Sequence, residues 1–175
     1  NAEQLSEMFT EINPRCTVPA LKLDDGTILA ENIAIADYIE SIQPEPPLIG
    51  TTPLERALTL QMNARIETEG LMAIAEILRN SSPGMKDRAL TGPSNYRQIP
   101  ELAERGRARF QHFFPMLNQQ LGDEPWLLGD RFTMADISAF VVTEFAAWVK
   151  ESIPDECTAV IDWAQRVKAR PSAEA

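Results

Sequence analysis

Basic residues, histidine, cysteine and long apolar runs are all scarce in this 175-residue chain, and each scarcity removes a class of function. Sixteen lysines and arginines face 26 aspartates and glutamates, for a net charge of −10. No basic run is present, so the electrostatic footprint of a nucleic-acid binder is missing. The same acidic field gives an anionic ligand no long-range help, and any anion site must be built from local groups. One histidine, His112, and two cysteines, Cys16 and Cys157, leave no grouping with metal-ligand spacing. Two distant cysteines make no disulfide framework, which points to a reducing, cytoplasmic setting. No apolar stretch approaches the ~18 residues of a membrane span, and the first residues do not read as a signal peptide. There is no phosphate loop of the G-x-x-x-x-G-K-[ST] type, no internal repeat and no low-complexity tract.

What is present centres on residues 13–32. Asn13-Pro14 starts a turn, because proline fixes its own φ and biases its predecessor away from helix. Val18-Pro19-Ala20-Leu21-Lys22-Leu23 is a short apolar run at strand spacing, Asp24-Asp25-Gly26-Thr27 carries hairpin turn chemistry, and Ile28-Leu29 returns as partner strand. Glu31-Asn32 opens a helix with Ile35, Tyr38, Ile39 and Ile42 at helical spacing. A proline one residue into a strand cannot join the ladder. With a cis Val18-Pro19 bond, the Val18 N–H and C=O would face outward, ready to pair with a peptide-like ligand.

Farther on, Gln43-Pro44-Glu45-Pro46-Pro47 is a stiff break, and the boundary between two units is expected between there and Gly50. Thr52-Pro53-Leu54-Glu55 reads as a capping box that opens a helix to about Arg79, with Leu54, Leu58, Met62, Ile66, Ala73 and Ile77 as its apolar stripe. Residues 80–100 read as an irregular loop. A second long helix is predicted over 100–121, bent by Pro115 and stopped by Gly122. His112 lies on it beside the phenylalanines and reads as a structural group. Thr133 and Asp136 form another capping box, with Phe132 and Ile137 as hydrophobic staple, before a helix whose inward face is Ile137, Phe140, Val141, Phe145 and Trp148. The last helix is expected over 156–169, burying Val160, Trp163 and Val167.

Two of these stretches carry a resemblance. Asn-Pro-x-x-x-Val-Pro-Ala-Leu, then Asp-Gly, then Leu-x-Glu-Asn-x-Ala-Ile-x-x-Tyr-Ile resembles the second half of the thioredoxin-like domain of cytosolic glutathione transferases of bacterial type. Gly129-Asp130-Arg131-Phe132-Thr133-Met134-Ala135-Asp136 resembles the box that starts that family's buried core helix, where its role is folding and not catalysis. The resemblance implies a mostly α fold with an α/β remnant. Residues 1–46 would be the C-terminal half of a thioredoxin-like domain, its first strand-helix-strand lying ahead of Asn1, and residues 51–175 an all-α domain. It implies a transferase that conjugates glutathione, as substrate, to electrophilic small molecules, acting as a homodimer without metal, membrane or nucleic acid. A glutathione-dependent thiol-disulfide reductase, or a binding module without catalysis, is the alternative.

Carried over residue by residue, the glutathione site falls on Thr17, Val18, Pro19, Glu31 and Asn32. The Val18 backbone meets the cysteinyl part across a cis bond, and Glu31 and Asn32 hold the γ-glutamyl end. That end is a zwitterion, which suits a carboxylate beside the free N–H groups of a helix start; Asn32 alone also reads as a cap. The catalytic Tyr, Ser or Cys is assigned to no residue here. The family often has glycine at the position of Cys16 and a cation at that of Thr17. Losing that cation leaves the glycyl carboxylate without its usual partner, and Cys16 is either a thiol beside the site or a small turn residue. Ile66, Gly70, Tyr96 and Phe113 are candidates for the electrophile wall, and Glu67 and Glu69 for reaching a partner subunit's glutathione.

Overall fold

The computed structural model describes residues 3–173. Helix α1 (Glu7–Ile12) is capped by Ser6, whose Oγ accepts from the Phe9 N–H at 3.2 Å, and it buries none of its residues. Strands β1 (Ala20–Lys22) and β2 (Ile28–Ala30) form an antiparallel hairpin that pairs Ala20 with Ala30 and Lys22 with Ile28. The expected turn closes it: the Thr27 N–H donates to Asp25 Oδ1 at 2.8 Å, and Gly26 takes a φ of +89° that suits glycine. The same bond holds the Asp25 carboxyl below its ordinary range. Helix α2 (Asn32–Ile42) follows. Its apolar stripe is open, with Ile39 47% and Ile42 65% exposed. A two-stranded hairpin offers too little surface to cover a three-turn helix.

The rest is helical. Helix α3 (Pro53–Ile66) starts at the predicted box: the Glu55 N–H donates to Thr52 Oγ1 at 3.2 Å, and the Thr52 N–H donates back to Glu55 Oε2 at 3.1 Å. The single rod expected to Arg79 is interrupted by a π-helical turn over Glu67–Leu71 and resumes as α4 (Met72–Ser81). Gly70 sits in that wide turn because nothing larger fits. A Cβ there would come within 2.5 Å of the Phe113 ring and 2.8 Å of Val142. Met62, Ile66, Ala73 and Ile77 are buried as expected, but Leu54 and Leu58 face outward.

An irregular segment then leads to α5 (Pro100–Phe110) and α6 (Phe113–Leu121). The predicted bend is a full break at Gln111–His112. It falls one turn before Pro115, because a proline ring collides with the carbonyl four residues earlier. His112 stands exposed at this break and makes no side-chain hydrogen bond among the described residues, so it is not the internally paired group expected. Glu76 on α4 ties α4 to α5 through Arg105 and Arg109, the latter at 3.1 Å. Burial would raise its carboxyl; hydrogen bonds from the two guanidinium groups outweigh this and lower it. Phe110, Phe113 and Phe114 pack with centroids 5.3–5.6 Å apart at the centre of the core.

Helices α7 (Met134–Ala146) and α8 (Thr158–Lys168) complete the core. The buried face of α7 is Ala135, Asp136, Ala139, Val142 and Ala146, not the face of large residues. Small side chains let α3 and α4 approach, while Ile137, Val141 and Trp148 stay substantially exposed. The staple also differs: the Phe132 ring packs edge-on against Trp126, 5.0 Å between centroids, and under the Arg170 guanidinium at 3.8 Å.

Asp136 is fully buried and satisfied. Its Oδ2 accepts from the Thr133 N–H (2.9 Å) and hydroxyl (3.1 Å), and its Oδ1 from the Leu127 N–H (3.0 Å) and Trp163 Nε1 (2.9 Å). Asp136→Ala orphans several buried donors at once and is expected to destabilise by about 3–5 kcal/mol, against about 0.5–2 kcal/mol for Thr133→Ala. Denaturant midpoints check this order; equal losses would show that the box is only a cap.

Candidate functional site

The site residues hang on one buried side chain. Asn13 donates through Nδ2 to the Thr17 carbonyl (2.8 Å) and hydroxyl (3.2 Å), and its Oδ1 accepts from the Arg15 N–H (3.2 Å). These bonds set the turn that delivers Val18. The Val18–Pro19 peptide is cis, Val18 is 66% exposed, and no hydrogen bond among the described residues uses its backbone N–H or C=O. The hairpin ladder ends with Ala20 opposite Ala30, so that Pro19 leads into one strand and Glu31 leads out of the other.

Glu31 caps α2 at φ +72°, ψ 127°, a combination that a side chain makes unfavourable by about 1–3 kcal/mol. Its side chain makes no cap bond; Oε1 pairs with Arg15 Nη1 at 3.0 Å. Asn32 is the first helical residue and makes no capping bond, so the capping role that its sequence context allows is not used. The first backbone N–H of α2 with an internal acceptor is that of Ile35, which donates to the Glu31 carbonyl. Pro19 and Asn32 line one cleft, and Val18 and Glu31 are their neighbours along the chain. Thr17 adjoins them, with its hydroxyl engaged by Asn13.

Beside them lies a cleft of about 310 Å³ between α2, the π-helical turn and α7, with Pro19, Asn32, Ile35, Glu67, Ile137 and Ser138 among its walls. An adjoining apolar groove of about 300 Å³ shares Ile39 and Ile137 with it and runs on to Pro46 and Leu48. The cleft's polar edge is a short chain of bonds. Ser138 Oγ donates to Asn63 Oδ1 at 2.5 Å, and Asn63 Nδ2 donates to Glu67 Oε1 at 3.0 Å. Nothing in the sequence announced this link across 75 positions. Of the wall candidates, Ile66 lines the cleft, Gly70 and Phe113 belong to the core, and Tyr96 lies elsewhere, bridged to Arg88. Glu69 pairs with Arg65 at 3.0 Å.

Both cysteines are buried. The Cys16 thiol lies 3.5 Å from Thr10 Oγ1, and burial together with nearby Glu156 pushes the Cys157 thiol up. Among the described residues no group of three or more His, Cys, Asp or Glu could hold a metal, and no helix is long and apolar enough to cross a membrane.

The comparisons with known proteins agree with one another. Residues 1–42 match the family model described as "Glutathione S-transferase, N-terminal domain", and residues 100–166 match "Glutathione S-transferase, C-terminal domain". The chain is 38% identical over 165 residues to glutathione S-transferase 2 of Saccharomyces cerevisiae, covering 94% of this chain and 68% of that protein. The chain belongs to the glutathione S-transferase family. The crystal structure of Gtt2 from Saccharomyces cerevisiae superposes with a TM-score of 0.88 at 35% identity, over 99% of this chain and 81% of that one. Glutathione S-transferase GstA of Escherichia coli O157:H7 is 29% identical over 167 residues, covering 95% of this chain and 75% of its own. The mostly α glutathione S-transferase fold expected from the two motifs is the one observed.

Within this fold, Glu40 fixes α2 against the helices. Its buried carboxylate accepts the backbone N–H groups of Leu48 (2.8 Å), Ile49 (2.6 Å) and Gly50 (3.0 Å) and pairs with Arg56 of α3 at 3.4 Å. The Leu48 carbonyl in turn accepts from the Met134 N–H at the start of α7, at 2.8 Å. Glu40→Ala is expected to destabilise by about 2–4 kcal/mol through orphaned backbone donors, with exposed Glu45→Ala near neutral. Thermal unfolding of the two variants measures this; equal midpoints would show that the clamp is idle.

Proposed function

We propose that this chain is a cytosolic glutathione transferase that joins the thiolate of glutathione to an electrophilic small molecule. The observation that supports this reading is an unengaged Val18 backbone, the Glu31 carboxylate and an uncapped helix start, each next in the chain to a residue, Pro19 or Asn32, that lines one cleft. The three groups match glutathione end to end. The cysteinyl amide pairs with the Val18 backbone, as an added strand pairs with a sheet edge. The γ-glutamyl ammonium meets Glu31, and its carboxylate meets the first N–H groups of α2 with the Asn32 amide. Thr17 and Pro19 shape the floor beneath them. The electrophile occupies the apolar cleft toward α7.

On this reading residues 1–46 carry glutathione, and residues 51–175 supply the far wall. No residue of the chain is assigned to thiol activation. The family relationship to transferases from yeast and Escherichia coli supports the conjugating chemistry. Cys16 and Cys157 are both buried and neither is assigned a redox role; the reductase alternative turns on whether the thiol-activating residue is a Cys, against a Tyr or Ser for conjugation.

Removing one charge-assisted hydrogen bond costs roughly 1.5–3 kcal/mol, so Glu31→Ala is expected to weaken glutathione binding about tenfold to 150-fold. Asn32→Ser should be close to neutral, because serine still donates. Calorimetric titration of the full-length protein decides; unchanged affinity in Glu31→Ala would return the stretch to a bare fold signature.

A homodimer belongs to the same proposal. Leu54 and Leu58, 68% and 43% exposed one turn apart on α3, leave an apolar face uncovered, and Glu67 and Glu69 lie farther along the same rod. Sedimentation at micromolar concentration should show a dimer, and Leu58→Glu should shift it toward monomer. A parent protein that is monomeric throughout would remove this part.

A further inference from the structure

Glu31, which the proposed function pairs with the γ-glutamyl ammonium, is not free to receive it. Its Oε1 already lies 3.0 Å from Arg15 Nη1, so a guanidinium of the chain stands where the incoming cation would bind. Both side chains are largely in solvent, 71% and 58% exposed. A pair of this kind is weak and exchanges readily.

The root of Arg15 is firm by contrast. Its N–H donates to Oδ1 of the buried Asn13 at 3.2 Å, and Pro14 before it has a fixed φ. Behind it, Gly92 of the irregular segment lies in ordinary contact range, an added Cβ there being 3.5 Å from the Arg15 carbonyl oxygen. A displaced guanidinium therefore swings from a fixed point two residues before Thr17. Arg15 is the sole cationic residue between Asn1 and Val18. In a chain of net charge −10 a second carboxylate on the ligand has no distant field to draw it, and needs a local cation.

We propose that Arg15 is a glutathione-binding residue that works by exchange. It neutralises Glu31 while the site is empty, yields Glu31 to the arriving ammonium, and then pairs with the carboxylate at the glycyl end of the same molecule. This rests on the glutathione reading given above. The exchange leaves neither Arg15 nor Glu31 unpaired: one internal pair is given up, and two pairs to the ligand form. It also makes recognition depend on both ends of the tripeptide, since a molecule with the ammonium alone breaks a pair without restoring Arg15 to a partner.

The test uses two probes, glutathione and its monoethyl ester at the glycine carboxylate, titrated calorimetrically into the full-length parent, Arg15→Gln, Arg15→Lys and Glu31→Ala. The parent is expected to prefer glutathione over the ester by about tenfold. Arg15→Gln should bring the two within about twofold and bind the ester about two- to fivefold more tightly than the parent does, because no guanidinium has to be displaced. Arg15→Lys should recover part of the preference. An unchanged preference in Arg15→Gln, with Glu31→Ala still weakening both probes, overturns the exchange and leaves the site standing. A parent that binds neither probe, or a Glu31→Ala variant that binds both as the parent does, overturns the site and the exchange together.

Discussion

The carboxylate of Asp136 is the constraint on which the helical core depends. A buried carboxylate is tolerable only where donors replace its water, and here four do: a hydroxyl, two backbone N–H groups and an indole N–H. Those donors come from the start of α7, from the loop at Leu127 and from Trp163 on α8. One side chain therefore decides how three pieces of chain meet, and the apolar packing around it follows. The small face of α7 can then lie close to α3 and α4, which pushes Ile137 and Val141 outward to become the wall of the cleft.

Glu40 plays the corresponding part nearer the site. It does not touch the cleft's polar groups, yet it sets the height of α2 by gripping the backbone at Leu48, Ile49 and Gly50. Through the Leu48 carbonyl and the Met134 N–H, that grip reaches the first residue of α7, two positions from Asp136. The two buried carboxylates thus act in series, one ordering the core and the other hanging α2 on it. Glu31 gains from both, because its unfavourable backbone angles are held between a paired strand and an anchored helix.

Local chemistry was legible in the sequence, and distant partnership was not. The Asp-Gly turn, the box at Thr52 and the pairing of Thr133 with Asp136 each join residues within four positions of one another, and the hairpin strands flank that turn, so residue type and spacing suffice. The break before Pro115 is readable as a bend, since a proline acts on the turn that precedes it, but not as a full stop between two helices. The inward face of α7 was misread because large apolar residues suggest burial, whereas close helix packing selected the alanines. Val18, Pro19, Glu31 and Asn32 follow from motif resemblance, and of these Pro19 and Asn32 line one cleft. Neither the Arg15–Glu31 pair nor the bond from Ser138 to Asn63 could be foreseen, because no periodicity links residues 16 or 75 positions apart.

The wide turn at Gly70 sets a rule for how such a chain can vary. With the Phe113 ring and Val142 occupying the space where a Cβ would stand, residue 70 cannot enlarge while they keep their size. An alanine there is admissible only alongside a smaller residue at 113 or 142, and shrinking either of those alone opens a void. The three positions, from three separate helical segments, form a single unit of inheritance: divergence has to move through them together or leave all of them as they are.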